Sequence, residues 1–274
     1  MGRITRRVLA TVSVFALIGI VGSLPAQAAT PAFPTSITSV GDSITRAYDV
    51  NGTCFLKDCP TYSWSTGTVT TVNSELLRLQ KASGKTLLAN NYAKTGAKMG
   101  DLNGQLVTSA ASKPGYLTIL IGANDACTST IAGMTPTATF QSQFQTALTG
   151  LFSASPNTLV SVSSIPNVYN LWSVLQSNKS AKSTWSLFSI CQSMLKSTNT
   201  DAQRQQVLAQ VVAYNTALAT VCAQFTNCKY DGGAVFNTAF VASDISTVDY
   251  FHPSVAGQTK LALNAWNASY WPTY

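Results

Sequence analysis

A single histidine, His252, occurs in 274 residues. Mechanisms that need two imidazoles are thereby excluded, among them zinc hydrolysis of the H-E-x-x-H kind and histidine-rich metal sites. Charge is also scarce: 17 basic and 10 acidic residues leave a formal net charge of +7, a mild bias rather than a nucleic-acid footprint. The six cysteines include no C-x-x-C spacing, so a cysteine-ligated zinc site lacks its usual ligand arrangement. No G-x-S-x-G stretch occurs, which argues against the ordinary α/β-hydrolase elbow. Repeats and low-complexity tracts are absent.

The N-terminus reads as an export signal. Arg3, Arg6 and Arg7 precede an apolar run from Val8 to Leu24, followed by the small-residue site Ala26-Gln27-Ala28, the pattern that signal peptidase cleaves. An uncleaved membrane anchor is the competing reading, since the run is nearly long enough to span a bilayer. Cleavage after Ala28 leaves 246 residues, one large α/β domain over 29–274 with a substantial core. It also removes three arginines and no acid, lowering the net charge from +7 to +4.

All six cysteines, Cys54, Cys59, Cys127, Cys191, Cys222 and Cys228, lie in the exported part. An even number in an oxidising compartment favours three disulfides. Proximity in sequence pairs 54 with 59, 127 with 191 and 222 with 228.

Five short β-rich runs recur: Ser36–Val40, Thr86–Tyr92, Tyr116–Ile121, Thr158–Ser164 and Lys229–Phe236. Between them Thr66–Gln80, Pro136–Phe152 and Asp201–Phe225 carry helical apolar spacing. Pro253 is expected to open a last helix reaching about Ala268. Gln176–Thr200, rich in serine, threonine and lysine, reads as an excursion over the sheet edge. Alternating β and α elements predict a parallel sheet covered on both faces.

Four segments carry chemistry. Val40-Gly41-Asp42-Ser43 ends the first predicted strand, on the edge where open α/β sheets bind ligands. Asn91 to Gly96 follows the second strand and Ile121-Gly122-Ala123-Asn124-Asp125 follows the third. Gly96 allows close approach of a backbone N–H and Asn124 offers an amide donor, as a tetrahedral oxyanion requires. Asp249-Tyr250-Phe251-His252-Pro253 sets a carboxylate three residues before the imidazole. Asp249 can then fix the tautomer and leave the other ring nitrogen to take a proton from a serine hydroxyl. Taken singly, each block also reads as structure: a turn or cap at Ser43, βα turns at Gly96 and Asn124, and a helix cap at Asp249.

Together the four blocks resemble the SGNH, or GDSL-type, hydrolase family, with Ser43, Gly96, Asn124 and His252 in the family's order. The resemblance implies a flavodoxin-like three-layer α/β/α sandwich with a central parallel sheet of about five strands. It implies a Ser43–His252–Asp249 triad, and an oxyanion hole made by the Ser43 N–H, the Gly96 N–H and the Asn124 side chain. Ile44 stands where the name-giving motif has leucine, an apolar exchange that leaves the chemistry untouched. Ser63-Trp64-Ser65-Thr66-Gly67, Cys127 and Ser164-Ile165-Pro166-Asn167 look similar to the phospholipase-B-like branch.

Two other motif matches are set aside. Ser193-Met194-Leu195-Lys196 and Lys94-Thr95-Gly96 fit the penicillin-recognising pair, but in reverse chain order and without S-D-N. Gly84-Lys85-Thr86 lacks the upstream glycine of a phosphate loop, since position 79 is Leu79. The expectation is a secreted serine esterase that needs no metal or organic cofactor and acts on a small-molecule or lipid ester, with acyl lipids first. Transient contact with lipid surfaces is expected, and contact with nucleic acid is not. A carbohydrate acetyl esterase is the runner-up. A non-catalytic binding protein using Trp64, Trp172, Trp185, Trp266 and Trp271 as a sugar-stacking surface is the reading from another class.

Overall fold

Strands in this chain are short and free of proline. The computed structural model describes residues 1–2 and 30–273, so the export-signal reading lies outside the described residues apart from Met1 and Gly2. The chain from Pro31 on forms one compact unit. Its strands are β1 (Ser36–Gly41), β2 (Leu88–Asn91), β3 (Tyr116–Leu120), β4 (Leu159–Val162) and β5 (Cys228–Tyr230). They form one sheet of order β2-β1-β3-β4-β5 in which every pairing is parallel. This is the flavodoxin-like order, whose switch point lies between β1 and β3 at their carboxyl ends.

Parallel strands need crossover connections, and here these are helical. The helices are α1 (Glu75–Ser83), α2 (Leu102–Ala110), α3 (Ala123–Ala126), α4 (Thr137–Ala154), α5 (Val168–Leu175), α6 (Lys179–Leu187), α7 (Gln192–Leu195), α8 (Asp201–Cys222) and α9 (Val255–Asn267). Side chains alternate across the strands, so the two faces pack differently. Ile37 and Tyr116 join Leu76 and Leu79 of α1 and Trp266 of α9 in one apolar cluster. Val40, Leu117 and Ile119 join Leu102 of α2, Phe140 and Phe144 of α4 and Val207 of α8 in the other.

Three elements differ from the sequence reading. The helix expected over Thr66–Gln80 begins only at Glu75, because Ser74 caps it by accepting from the Leu77 N–H and Asn73 before it has φ +49°. The β-branched Thr68 to Val72 run resists helix formation and makes turns instead. The strand expected to reach Phe236 stops at Tyr230, because Asp231 accepts the N–H groups of Gly233 and Val235 and folds the chain over. Pro253 does not open α9. Ser254 does, accepting from the Gly257 N–H, while Pro253 bridges to Ile245 one step earlier. The excursion from Gln176 contains α6 and α7, and α7 packs on α8.

The disulfides join Cys54 to Cys59, Cys127 to Cys191 and Cys222 to Cys228, the pairs nearest in sequence. Among the described residues no helix is long and apolar enough to cross a membrane.

Candidate active site

Gly41 is where the sheet delivers Ser43. Its φ is +143° and a Cβ there would meet the Leu120 carbonyl oxygen at 2.1 Å, so only glycine lets β1 run this close beside β3 and then turn. Gln105 of α2 clamps the same residue from both sides, accepting from the Gly41 N–H at 2.7 Å and donating to its carbonyl at 2.9 Å. Past the turn, Gln258 of α9 donates to the Ile44 carbonyl and accepts from the Trp64 N–H, both at 2.9 Å. Ser43 is buried to 4% exposure within this frame.

The base side is built from the loop between Ile245 and Pro253. Asp249 Oδ1 accepts from the backbone N–H groups of Phe251 at 2.9 Å and His252 at 3.0 Å, an Asx-type turn that carries Tyr250 at φ +56°. Asp249 Oδ2 lies 2.5 Å from His252 Nδ1. His252 Nε2 lies 2.7 Å from Ser43 Oγ. With the proton on Nδ1, the hydroxyl of Ser43 donates to Nε2. Trp185 of α6 steadies the loop by donating its indole N–H to the Tyr250 carbonyl at 2.9 Å.

The electrostatics divide the carboxyls. Burial alone would raise Asp249, but the His252 hydrogen bond, its charge and the two backbone donors outweigh burial and hold it below the ordinary carboxylate range. Asp42, next to the serine, goes the other way. Burial pushes its carboxyl up to about 7 against the Ile44 N–H it accepts from, and its Oδ2 has no hydrogen-bond partner.

Gly96 and Asn124 are brought together. A tight turn runs from Lys94 to Ala97, closed by an Ala97 N–H to Lys94 carbonyl bond at 3.0 Å, and the Lys94 N–H donates to the Gly41 carbonyl at 3.0 Å. Gly96 sits in this turn at φ +82° and is exposed. The Asn124 amide donates to the Ala97 carbonyl at 2.9 Å, which spends one N–H on aiming the group and leaves the other. The Cys127–Cys191 bridge ties this loop to the segment after α6.

Two clefts meet at His252. One, about 60 Å³, is lined by the apolar Ile44, Val168, Leu171, Phe240 and Phe251. The other, about 310 Å³ and more mixed, is lined by Asn124, Tyr48, Asp49, Phe55, Leu56 and Phe188. Among the described residues one group has donors close enough to share a metal ion, Asp49, Asp249 and His252. Its atoms are largely committed to each other and to backbone amides.

A sequence model described as "GDSL-like Lipase/Acylhydrolase" matches residues 37–265. The chain belongs to this family. It is a carboxylic ester hydrolase of the GDSL type. No curated protein matches the chain significantly in sequence. Among solved structures it is similar to LAE5, an α/β hydrolase enzyme from the metagenome of Lake Arreo, at 16% identity and TM-score 0.55 over 85% of this chain and 94% of that one. It is similar to phospholipase A1 from Streptomyces albidoflavus NA297 at 16% identity and TM-score 0.53 over 85% and 98%. The acetyl xylan esterase AlAXEase gives 15% and 0.51 over 85% and 98%. At such identities these likenesses speak for the fold.

Sequence reasoning singled out Ser43, Gly96, Asn124, Asp249 and His252, and these lie on neighbouring loops of the GDSL hydrolase sheet edge. It missed Gln105, Gln258, Trp185 and Asp49. The glutamines and Trp185 act on backbone groups far away in sequence, for which a single chain carries no signal.

Proposed function

We propose that the protein is a secreted serine esterase acting on acyl lipids through Ser43, His252 and Asp249. The observation that carries the reading is the unbroken hydrogen-bond line from Ser43 Oγ through the His252 ring to Asp249, at 2.7 and 2.5 Å. Ser43 Oγ attacks the ester carbonyl while Nε2 takes its proton. The Ser43 N–H, the Gly96 N–H and the free N–H of Asn124 receive the oxyanion. The imidazolium then returns the proton to the leaving alcohol, and water, deprotonated by the same nitrogen, frees the acyl group. No step needs a metal or organic cofactor.

Polarity supports lipids over acetylated sugars. The first cleft presents Ile44, Val168, Leu171, Phe240 and Phe251, aliphatic and aromatic walls that an acyl chain covers and a sugar does not. The rim of the second cleft supports contact with a lipid surface. Phe55, Leu56 and Phe188 line it, and with Leu187 they are each more than half exposed. Exposed apolar groups beside a cleft mark an interaction surface. Residues 169–200 bring Lys179, Lys182 and Lys196 and no acid, a sign suited to anionic lipid. Export is supported by the three disulfides.

The test is a panel of p-nitrophenyl esters of rising chain length, phosphatidylcholine and acetylated xylan, with Ser43→Ala as blank. Turnover that rises with chain length and extends to phosphatidylcholine is expected. Turnover confined to acetyl esters would replace the lipid reading with the carbohydrate one, and turnover that survives in Ser43→Ala would remove the triad.

A further inference from the structure

Behind the acid of the triad stands another acid. Asp49 is 1% exposed and holds φ +52°, a left-handed conformation in which aspartate is among the few side chains enriched. Every polar group of the residue is engaged. Its N–H donates to the Lys57 carbonyl at 3.3 Å, and its Oδ1 accepts from the Leu56 N–H at 2.5 Å. Both bonds tie it to the loop closed by the Cys54–Cys59 bridge. Its carbonyl accepts from the Ser246 hydroxyl, on the loop that carries Asp249 and His252.

One oxygen of Asp49, one of Asp249 and one nitrogen of His252 lie within 4.8 Å of one another. We propose that Asp49 is a positioning residue for the triad: its carboxyl holds Asp249 from behind and sets how strongly His252 draws the proton from Ser43. Burial, and then the Asp249 carboxylate, raise Asp49 above the ordinary carboxylate range, while the Leu56 N–H and then His252 pull it down. Two carboxyls this close cannot ionise independently and titrate as a pair. When both are ionised, two negative charges face the ring and favour the imidazolium that forms during attack. When Asp49 is protonated its O–H donates to Asp249 and only one charge remains.

The other groups around the pair are Tyr48, whose ring centroid lies 5.2 Å from that of His252, Asp42 at the end of β1, and Lys57 and Asp58 on the disulfide loop. Asp58 is paired with Arg46 at 2.9 Å. All of these remain in an Asp49 variant, so a difference between variant and wild type belongs to Asp49.

The inference rests on the triad reading, and its test needs no turnover. Because His252 is the only histidine, ¹⁵N-histidine labelling yields the signals of one ring, titrated in wild type, Asp49→Asn and Asp49→Ser. Asn keeps an oxygen for the Leu56 N–H and removes the charge. The ring's midpoint is expected to move to lower pH by about 0.5 to 1 unit in both variants. The acid limb of kcat/KM should move with it, while Tm changes by no more than about 4 °C. A folded Asp49→Asn protein with the wild-type midpoint would overturn the proposal. So would an Asp49→Asn chain that fails to fold, since the carboxylate would then be a structural group. Esterase activity persisting in Ser43→Ala would instead overturn the triad reading, whatever the ring titration shows.

Discussion

The two halves of the active site are held by different means. Ser43 leaves the end of a strand whose neighbours pair with it on both sides, and its approach is fixed by a glycine turn, a Gln105 clamp on that glycine and a Gln258 tether just after it. His252 sits on a loop whose only ladder contact is a single bridge at Ile245 and Pro253. Two side chains fix it, Asp249 from within the loop and Trp185 from α6. Damage to the groups that hold Ser43 should therefore appear as lost stability, and damage to those that hold His252 as lost rate.

The largest effect belongs to the line where the halves meet. His252→Ala and Ser43→Ala should each lower kcat by about 10⁴-fold or more with KM little moved, measured on protein whose melting curve matches the wild type. Asn124→Ala comes next. It should lower kcat by about 10² to 10³, roughly 2.7 to 4 kcal/mol of transition-state stabilisation, because its amide meets charge that exists only in the transition state. A destabilised Asn124→Ala enzyme with normal kcat per titrated site would make the residue a turn former and nothing more.

The next pair sets the halves against each other. Trp185→Phe keeps an aromatic ring but removes the donor to Tyr250 and part of the buried indole volume. It should cost about 3- to 10-fold in kcat, since a slightly displaced base is felt steeply in rate, with a stability loss of about 1 to 3 kcal/mol. Gln105→Ala orphans the Gly41 amide in the core and should cost about 1 to 3 kcal/mol of stability, while kcat per active site stays within about 3-fold. If Gln105→Ala loses rate and Trp185→Phe loses only stability, the division of labour drawn above is wrong.

The smallest effect concerns pH. Glu75 is buried beneath Tyr116, whose hydroxyl donates to it at 2.7 Å, and burial pushes its carboxyl up to about 7 against the Tyr116 bond. The folded state thus holds a proton that the unfolded chain, with its ordinary carboxylate, releases near pH 4. Stability from this group is present at low pH and declines as pH rises from about 4 towards 7. Glu75→Gln keeps an acceptor for Tyr116 and removes the titration. Its Tm should fall less than that of the wild type between pH 5 and 7.5, and parallel curves would count against the assignment.

What was legible in the sequence follows the same division. Strands buried on both faces read as continuous apolar runs, so β1, β3 and β4 emerge within a residue or two, and the loops at their ends bring Ser43 and Asn124 with them. Pro253 misled because proline suits a first helical turn, yet the serine after it is the better cap. Asp49 gave no signal, because its effect depends on a contact with Asp249 200 positions away. Trp185 looked like one of five scattered tryptophans and is instead a donor buried against the His252 loop.

The ends of the sheet have a consequence for how the chain survives folding outside the cell, the location proposed above. The outermost strands, β2 and β5, are four and three residues long. The Cys222–Cys228 bridge clasps β5 to the end of α8, and the Lys229 ammonium turns to the Ser269 carbonyl. An open strand edge is a template on which another chain can add and begin a fibril, and short, charged edges blunt it. A sheet that finishes in such stubs offers a neighbouring copy almost no ladder to extend.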